Sequence, residues 1–369
     1  MKTTFLILGL LICSITSFGQ TTLETIQVNG VTRQYYKYVP VNYDPITEEV
    51  PLIIFLHGLG GTASQLTAMG MHPIADTARF IIIYPQGLAN GQGSNAWNNN
   101  TLLSSSGEDV LLMSRLIDTL NNDHNIDLSR VYMSGISMGS IMTYTTLNVL
   151  SDRIAAAVCH IGTMSTIDLG NYTPDYPTPI LHIHGTNDGT VPYYPPALPS
   201  LSVVQPTIDK LKDINGFQGD STVTQLADNA SDGITIDKIV YNCTTPLELW
   251  RMNNADHIIL FEPTNDTNTT ELTWLFFQQF THPNPSAANI TSFTGTEAMV
   301  YPNPANNEVY ITNYTDFQKL EIYTIDGRLI KSENLEQNTV DCSSLNQGNY
   351  LFHFTDLQNN ISVKRMVIE

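Results

Sequence analysis

The sequence predicts a three-layer α/β domain, followed by a linker and a small all-β sandwich. Residues 20–282 alternate short apolar runs with helical patterns, which favours a largely parallel sheet covered by helices on both faces. Residues 283–298 are rich in Pro, Asn, Ser, Ala and Thr and lack periodicity, which indicates a linker. From Met299 the pattern changes to short alternating strands, so we predict a β-sandwich over residues 299–369.

The strands of the first domain are predicted from short apolar runs bounded by turn residues. Asn29-Gly30 separates two extended runs, which is a hairpin signal. A helix is predicted from about residue 108, with Glu108 and Asp109 in the first turn, where the helix dipole favours acids. Continuous apolar runs predict strands that are buried on both faces. These runs cover residues 52–56, 80–84, 131–133, 154–159 and 180–183. The fifth strand extends to residue 184, and a further strand is predicted over residues 247–252.

The second domain is predicted from alternating patterns that are shorter and more polar. Asp326-Gly327 is a hairpin signal between two of them. The predicted strands cover residues 309–311, 320–325, 328–331, 350–354 and 362–368.

The first 19 residues have the pattern of a signal peptide. Met1-Lys2 is a short basic start, residues 5–15 are apolar, and Ser17-Phe18-Gly19 offers small residues for cleavage before Gln20. The apolar run is short for a bilayer span, so a membrane anchor is the alternative interpretation. No second long apolar segment follows, and we therefore expect no permanent membrane span.

The composition excludes some classes of function. Lys and Arg total 16 against 35 Asp and Glu, giving a formal net charge of −19. A general nucleic-acid binder is disfavoured, because phosphate affinity comes mainly from Lys and Arg. Apolar residues make up 42%, which excludes wholesale disorder. An acidic surface of this kind suits neutral or weakly charged substrates.

Export would let thiols oxidise, and three cysteines follow the predicted cleavage site. Cys342 lies in the second domain, so the one pairing within the first domain is Cys159 with Cys243. A disulfide between them and two buried free thiols are equally open alternatives.

The sequence predicts neither a metal nor a cofactor. No Cys or His cluster has zinc spacing. The acidic loop 228–233 resembles a calcium loop, but Ala230 stands where an oxygen ligand is needed. We interpret this loop as a surface turn.

Gly135-Ile136-Ser137-Met138-Gly139 fits the pattern G-x-S-x-G. The motif lies between a predicted buried strand and a predicted helix, which is the setting of a nucleophile elbow. Glycines on both sides let the backbone turn sharply and expose the Ser137 hydroxyl. The Met138 N–H would then stabilise an oxyanion. The alternative is a tight turn that happens to contain serine.

A serine nucleophile needs a base, and the base needs an acid to orient it. Asp188 and His257 each follow a predicted strand, in the chain order that an elbow of this kind requires. His184 and His160 are weaker candidates for the base. Asp256 is the alternative acid, but neighbouring side chains rarely reach each other in triad geometry.

The loop after the strand at 52–56 reads His57-Gly58-Leu59-Gly60-Gly61. Its position and glycines predict the second oxyanion donor, the Leu59 N–H, with His57 bracing the loop. Trp97 either binds substrate at the pocket or packs on the sheet, and both alternatives stay open.

These segments, with Glu108-Asp109-Val110 and His184-Gly185-Thr186, resemble the polyhydroxybutyrate depolymerase/feruloyl esterase group of α/β-hydrolases over about residues 30–280. The resemblance implies a serine esterase without metal or cofactor, with Ser137, Asp188 and His257 in the triad positions. Two departures concern substrate identity. Residues 254–258 lack the Gly-Gly-His and nearby Trp common in the group, and Ser140 replaces its usual Gly.

The tail resembles the C-terminal sorting domain of the type IX secretion system. The residues that carry this resemblance include 300–304, Asp326-Gly327-Arg328, Gly348-Asn349-Tyr350 and the terminal Lys364-Arg365. The resemblance implies passage through the outer membrane by the type IX secretion machinery, then removal or surface attachment of the tail. A carbohydrate-binding module is the alternative.

Together these observations predict a secreted or surface-held serine carboxylesterase, exported across both membranes. Its expected substrates are polymer-associated esters, feruloyl or acetyl esters of plant polysaccharide. The alternatives are a polyhydroxyalkanoate or other polyester depolymerase, a peptidase, and a non-catalytic surface-binding protein on a hydrolase scaffold.

Overall fold

The computed structural model describes residues 19–260, 266–285, 298, 300–311, 313–324, 328–357 and 361–368. The chain divides into two compact units, Met1–Ala287 and Ala288–Glu369. The predicted signal peptide up to residue 18, residues 286–297 of the predicted linker and the Asp326-Gly327 turn lie outside the described residues. No helix in the described part of the chain is long and apolar enough to cross a membrane.

The first unit is built on a mixed sheet with ten strands among the described residues. Its strands and one small separate pair are β1 (Gln20–Val28), β2 (Val31–Val39), β3 (Val50–Leu56), β4 (Ile81–Pro85), β5 (Leu88–Ala89), β6 (Asn95–Ala96), β7 (Ile126–Ile136), β8 (Ala156–His160), β9 (Ile180–Gly185), β10 (Phe217–Gln225), β11 (Thr235–Cys243) and β12 (Leu247–Asn253). The sheet order is β1-β2-β4-β3-β7-β8-β9-β12-β11-β10, and β5 pairs with β6. The strands from β4 to β12 in this order are parallel, and the outer ones are antiparallel.

Helices cover both faces of this sheet. They are α1 (Ala63–Leu66), α2 (Met71–Ala78), α3 (Asp109–Asp123), α4 (Met138–Leu150), α5 (Thr166–Asn171), α6 (Val204–Ile214) and α7 (Thr269–Phe277). Strand side chains alternate between the faces, so Ile54 joins one apolar core with α3, α4 and α6, and Ile53 joins another with α1, α2 and α7. The predicted three-layer α/β architecture is confirmed.

The hairpin of β10 and β11 at one edge of the sheet is not among the strands predicted from the sequence. After Phe217 every residue of β10 is exposed, so the strand has no apolar run to reveal it. Its partner β11 supplies the backbone hydrogen bonds in its place. Antiparallel edge strands that face water on both sides cannot be recognised from hydrophobic pattern alone.

The second unit is a small β-sandwich with its own core. Its strands are β13 (Val300–Tyr301), β14 (Glu308–Ile311), β15 (Phe317–Thr324), β16 (Leu329–Asn334), β17 (Thr339–Asp341), β18 (Gly348–Asp356) and β19 (Ile361–Ile368). They form the antiparallel sheets β13-β14-β17 and β16-β15-β18-β19. Val309 and Val340 from one sheet share an apolar core with Leu320 and Phe352 from the other.

Cys159, Cys243 and Cys342 are free thiols. Cys159 lies on β8 and Cys243 ends β11, with β9 and β12 between them in the sheet. Three strand spacings of about 4.8 Å separate the two backbones by about 14 Å, about twice the reach of a disulfide. The structure therefore has the free-thiol alternative.

Candidate active site

Ser137 stands at the junction where β7 ends and α4 begins. Its backbone has φ 55° and ψ −116°, a conformation that is strained for a residue with a side chain. A Cβ atom on Gly135 would lie 2.2 Å from the Gly139 carbonyl carbon, and one on Gly139 would lie 2.3 Å from the Leu56 carbonyl oxygen. Only glycine fits at both positions, so the motif's glycines allow the tight turn that exposes Ser137.

Three candidate residues come together at the carboxyl edge of the parallel strands. Asp188 follows β9 and His257 follows β12, and these strands are neighbours in the sheet. His257 Nε2 lies 3.0 Å from Ser137 Oγ, and His257 Nδ1 lies 2.6 Å from Asp188 Oδ2. The Asp188 side chain is fully buried, whereas 20% of the His257 side chain is exposed. The arrangement joins a hydroxyl, an imidazole and a buried carboxylate in one hydrogen-bonded series.

The competing candidates lie elsewhere. Asp256 Oδ1 accepts the backbone N–H groups of His257 and Gly189, not the imidazole. His160 Nε2 bonds to the Thr273 hydroxyl, and burial lowers the pKa of His160 to about 4. His184 Nε2 faces the Val191 carbonyl and Asp188. Within the described residues, His257 is the imidazole that is hydrogen-bonded to Ser137 Oγ.

The environment of Asp188 keeps its carboxyl group ionised. Burial raises the pKa, but hydrogen bonds from the His184 and His257 side chains and from the Val191 N–H outweigh burial and hold the pKa well below its usual range. Asp188 Oδ1 accepts the N–H groups of Thr190 and Val191 at 2.8 and 2.7 Å. Both carboxylate oxygens are thus held in fixed directions.

His57 fixes the loop that precedes α1. Its Nε2 accepts the Gly87 N–H at 3.0 Å, so the neutral ring carries its proton on Nδ1 and donates it to the Gly58 carbonyl at 2.7 Å. Burial lowers the pKa of His57, which keeps the ring neutral. The Gly61 N–H donates to the same carbonyl at 3.0 Å. In a trans peptide the N–H points opposite to the C=O, so the Leu59 N–H points away from both donors.

The backbone N–H groups of Leu59 and Met138 remain available to a ligand. Within the described residues neither group donates to a protein acceptor. A Cβ atom on Gly58 would lie 3.4 Å from Ser137 Cβ, which puts this loop beside the serine. Free donors next to a nucleophile are what an oxyanion requires.

Trp97 is fully buried and has no surface to offer a substrate. Its indole N–H donates to the His57 carbonyl at 2.7 Å, and its ring packs against the His57 ring at 4.7 Å. Of the two alternatives left open for Trp97, the structure has the one in which the residue packs in the core, where it supports the His57 loop.

Asp109 has a buried partner that was not predicted from the sequence. Asp109 Oδ1 forms a buried ion pair with Arg33 at 2.6 Å, and Oδ2 accepts the Asn98 N–H at 2.7 Å. The acid therefore holds the segment that carries Trp97, a role beyond the helix-dipole contact expected of it. A lone arginine in a strand pattern was the one available signal.

The predicted surface turn at 228–233 is held by aspartate side chains, both its own and that of Asp266, which accepts the Asn229 and Ala230 N–H groups. Asp228 Oδ1 accepts the Ser231 N–H at 2.9 Å, and Asp232 Oδ1 accepts the Ile234 N–H. Among the described residues no group of three or more His, Cys, Asp or Glu side chains is arranged to hold a metal ion.

Two known families match different parts of the chain, one in each of the two compact units. Residues 40–200 match the family described as phospholipase/carboxylesterase, and residues 299–369 match the secretion system C-terminal sorting domain. The chain therefore carries an α/β-hydrolase domain followed by a type IX sorting domain. Both resemblances drawn from the sequence are confirmed.

Curated relatives match less than half of the chain. The bifunctional acetylxylan esterase/xylanase of Neocallimastix patriciarum is 32% identical over 44% of this chain and 22% of its own length. Poly(3-hydroxyalkanoate) depolymerase C of Paucimonas lemoignei is 28% identical over 40% of this chain and 36% of its own. Feruloyl esterase B of Talaromyces funiculosus is 27% identical over 42% of this chain and 44% of its own. The chain thus spans less than half the length of each of these three relatives.

Proposed function

We propose that this protein is a secreted serine carboxylesterase that hydrolyses polymer-associated esters through an acyl-enzyme. The observation that carries the proposal is the series Ser137 Oγ, His257 and Asp188, with hydrogen-bond distances of 3.0 and 2.6 Å. A hydroxyl becomes a nucleophile at neutral pH only when a positioned base accepts its proton.

In the first step, Ser137 Oγ attacks the ester carbonyl carbon while His257 Nε2 accepts the hydroxyl proton. Asp188 remains ionised and stabilises the resulting imidazolium through Nδ1. The Leu59 and Met138 N–H groups donate to the oxyanion of the tetrahedral intermediate. The intermediate then expels the alcohol, which takes the proton from His257, and leaves an acyl-Ser137.

In the second step, water attacks the acyl carbonyl and gives a proton to His257. The second tetrahedral intermediate collapses, Ser137 Oγ leaves with that proton, and the carboxylic acid is released. The net reaction consumes one ester and one water and yields one alcohol and one acid.

Feruloyl or acetyl esters of plant polysaccharide are the proposed substrates. The named activities of the relatives from Neocallimastix patriciarum and Talaromyces funiculosus support this class. The side chains of Leu59 and of Ile258, which follows His257 in the chain, are 41% and 38% exposed. They offer apolar surface to an acyl group. The net charge of −19 disfavours polyanionic substrates. A polyester is the second candidate, supported by the relative from Paucimonas lemoignei.

A substrate panel tests the proposal. The full chain is assayed with p-nitrophenyl acetate, methyl ferulate, acetylated xylan and a polyhydroxybutyrate film. Ser137→Ala and His257→Ala should each lower kcat by about 10⁴- to 10⁶-fold, because triad members act as a unit. Hydrolysis of the film alone would favour the polyester candidate. Wild-type rates no higher than those of Ser137→Ala on every substrate would favour a non-catalytic binding protein.

We further propose that the sorting domain directs the protein across the outer membrane, to the medium or the cell surface. The match of residues 299–369 to that domain supports this route.

A further inference from the structure

A buried chain of hydrogen bonds runs from helix α4 to the Val191 carbonyl, beside the candidate acid Asp188. The Tyr144 hydroxyl lies 2.7 Å from His182 Nδ1, and His182 Nε2 lies 3.1 Å from His184 Nδ1. His184 Nε2 lies 2.8 Å from the Val191 carbonyl oxygen and 3.2 Å from Asp188 Oδ2. The two histidines and Tyr144 have no exposed surface.

The last acceptors set the direction of this chain. A carbonyl and an ionised carboxylate can only accept, so His184 carries a proton on Nε2. In the neutral ring Nδ1 then accepts, which makes His182 Nε2 a donor. Burial holds the pKa of His182 well below its usual range, so the ring is neutral and its Nδ1 accepts the Tyr144 hydroxyl proton. Every bond therefore donates toward Asp188.

We propose that Tyr144, His182 and His184 are positioning residues for the proposed esterase reaction. These three residues, called the relay below, orient the Asp188 oxygen that is bonded to His257 and disperse part of its negative charge. Asp188 Oδ2 is shared, with His257 Nδ1 at 2.6 Å and His184 Nε2 at 3.2 Å. A second donor disperses the charge of that oxygen, and this sets how strongly the carboxylate favours protonated His257. The inference rests on the proposed function.

Other titratable groups near the relay keep one charge state around neutral pH. Burial raises the pKa of Cys159 to about 12 and lowers that of His160 to about 4. Burial also raises the pKa of Tyr172 and that of Tyr193. The Tyr193 ring lies 5.9 Å from the His184 ring. Arg251, opposite His184 on β12, is paired with Asp237 at 2.7 Å. Changes in the titration of His257 can therefore be assigned to the relay.

Three variants of the full chain test the relay. Tyr144→Phe removes its first donor and keeps the ring, His184→Ala removes its last donor, and His184→Gln keeps an N–H near the position of Nε2. Tyr84→Phe and His72→Gln are the matched controls, because the Tyr84 hydroxyl and His72 Nε2 are buried and have no hydrogen-bond partner among the described residues.

The first measurement is the pKa of His257, followed by NMR and by the acid limb of the kcat/KM profile for p-nitrophenyl acetate. Tyr144→Phe and His184→Ala should raise it by about half a pH unit, since an undispersed carboxylate charge stabilises the imidazolium more strongly. His184→Ala should also lower kcat about tenfold with KM nearly unchanged, and His184→Gln should restore most of the loss. The controls should change neither quantity.

The second measurement is the tautomeric state of His182 and His184, from imidazole nitrogen shifts. Nε2–H tautomers of both rings support the relay, and Nδ1–H on either ring overturns it. Unchanged His257 pKa values in Tyr144→Phe and His184→Ala, with melting temperatures lowered, would reduce the chain to a structural role and also overturn it. If wild type hydrolyses no ester while the NMR results hold, the proposed function fails and the relay stands.

Discussion

His57 Nδ1 lies 2.7 Å from the carbonyl oxygen of Gly58. This hydrogen bond between neighbouring residues orients the peptide group that carries the Leu59 N–H. The Gly87 N–H donates to His57 Nε2, and this selects the tautomer with the proton on Nδ1 that the hydrogen bond to Gly58 requires. A side chain that forms no hydrogen bond to Ser137 among the described residues thus determines where a backbone donor points.

We predict that His57→Gln lowers kcat by about 10² and leaves KM for a small ester nearly unchanged, because a misdirected oxyanion donor weakens only the transition state. The kinetics of p-nitrophenyl acetate hydrolysis measure both constants, with His72→Gln as the control for loss of a buried imidazole. A rise in KM at constant kcat would contradict the role given to His57 and Leu59.

The assignment of the acid gives a second prediction. Asp188→Asn should lower kcat by about 10³ to 10⁴, because the amide stabilises the wrong tautomer of His257. Among the described residues, Asp256 accepts only the backbone N–H groups of His257 and Gly189. Asp256→Asn should therefore change kcat less than about fivefold, because exposed groups of this kind contribute little. The reverse order of effects would move the acid to Asp256.

The sequence could predict the positions of Ser137, Asp188 and His257 because each follows a buried apolar strand, and parallel strands end at one edge. Their catalytic roles remain predictions. The buried contacts that hold the neighbouring loops in place could not be predicted in the same way. The bond between Arg33 and Asp109 joins residues 76 positions apart, and neither residue carries a local signal of its partner. Trp97 was ambiguous because an isolated aromatic residue suits a pocket and a core equally.

The buried histidines predict a pH dependence of stability. Burial lowers the pKa of His160 to about 4, below the usual value near 6.5, so the unfolded chain binds the proton more readily. The stabilising contribution is complete above about pH 6.5 and is lost as the pH falls toward 4; for a shift of this size it is on the order of 3 kcal/mol.

Urea unfolding of the full chain between about pH 4 and 7 measures this dependence. The free energy of unfolding of the wild type should fall with falling pH, and His160→Gln should reduce the slope. An unchanged slope in His160→Gln would show that His160 is already protonated, or not buried, in the folded chain.

The separate cores of the two units lead to the last prediction. The buried residues of the tail's apolar core all come from Ala298–Ile368, and those of the two apolar cores of the first unit come from Val28–Phe277. A chain that ends at residue 282 should therefore keep its melting transition and its turnover of p-nitrophenyl acetate, because units with their own cores fold independently. Activity assays and thermal unfolding of the full and shortened chains measure this, with Ser137→Ala in both lengths as the background.

Cell fractionation then tests what the tail does. If residues 299–369 deliver the protein, the shortened chain should accumulate in the periplasm of its host while the full chain reaches the surface or the medium. Release of the shortened chain into the medium would contradict a sorting role, and loss of turnover on p-nitrophenyl acetate would make the tail part of the catalytic fold. If export were unchanged but the shortened chain no longer bound insoluble polysaccharide, the tail would instead be a substrate-binding module. Loss of a surface that contacts the polymer weakens adsorption to the polymer, but it changes neither export of the protein nor hydrolysis of a small ester.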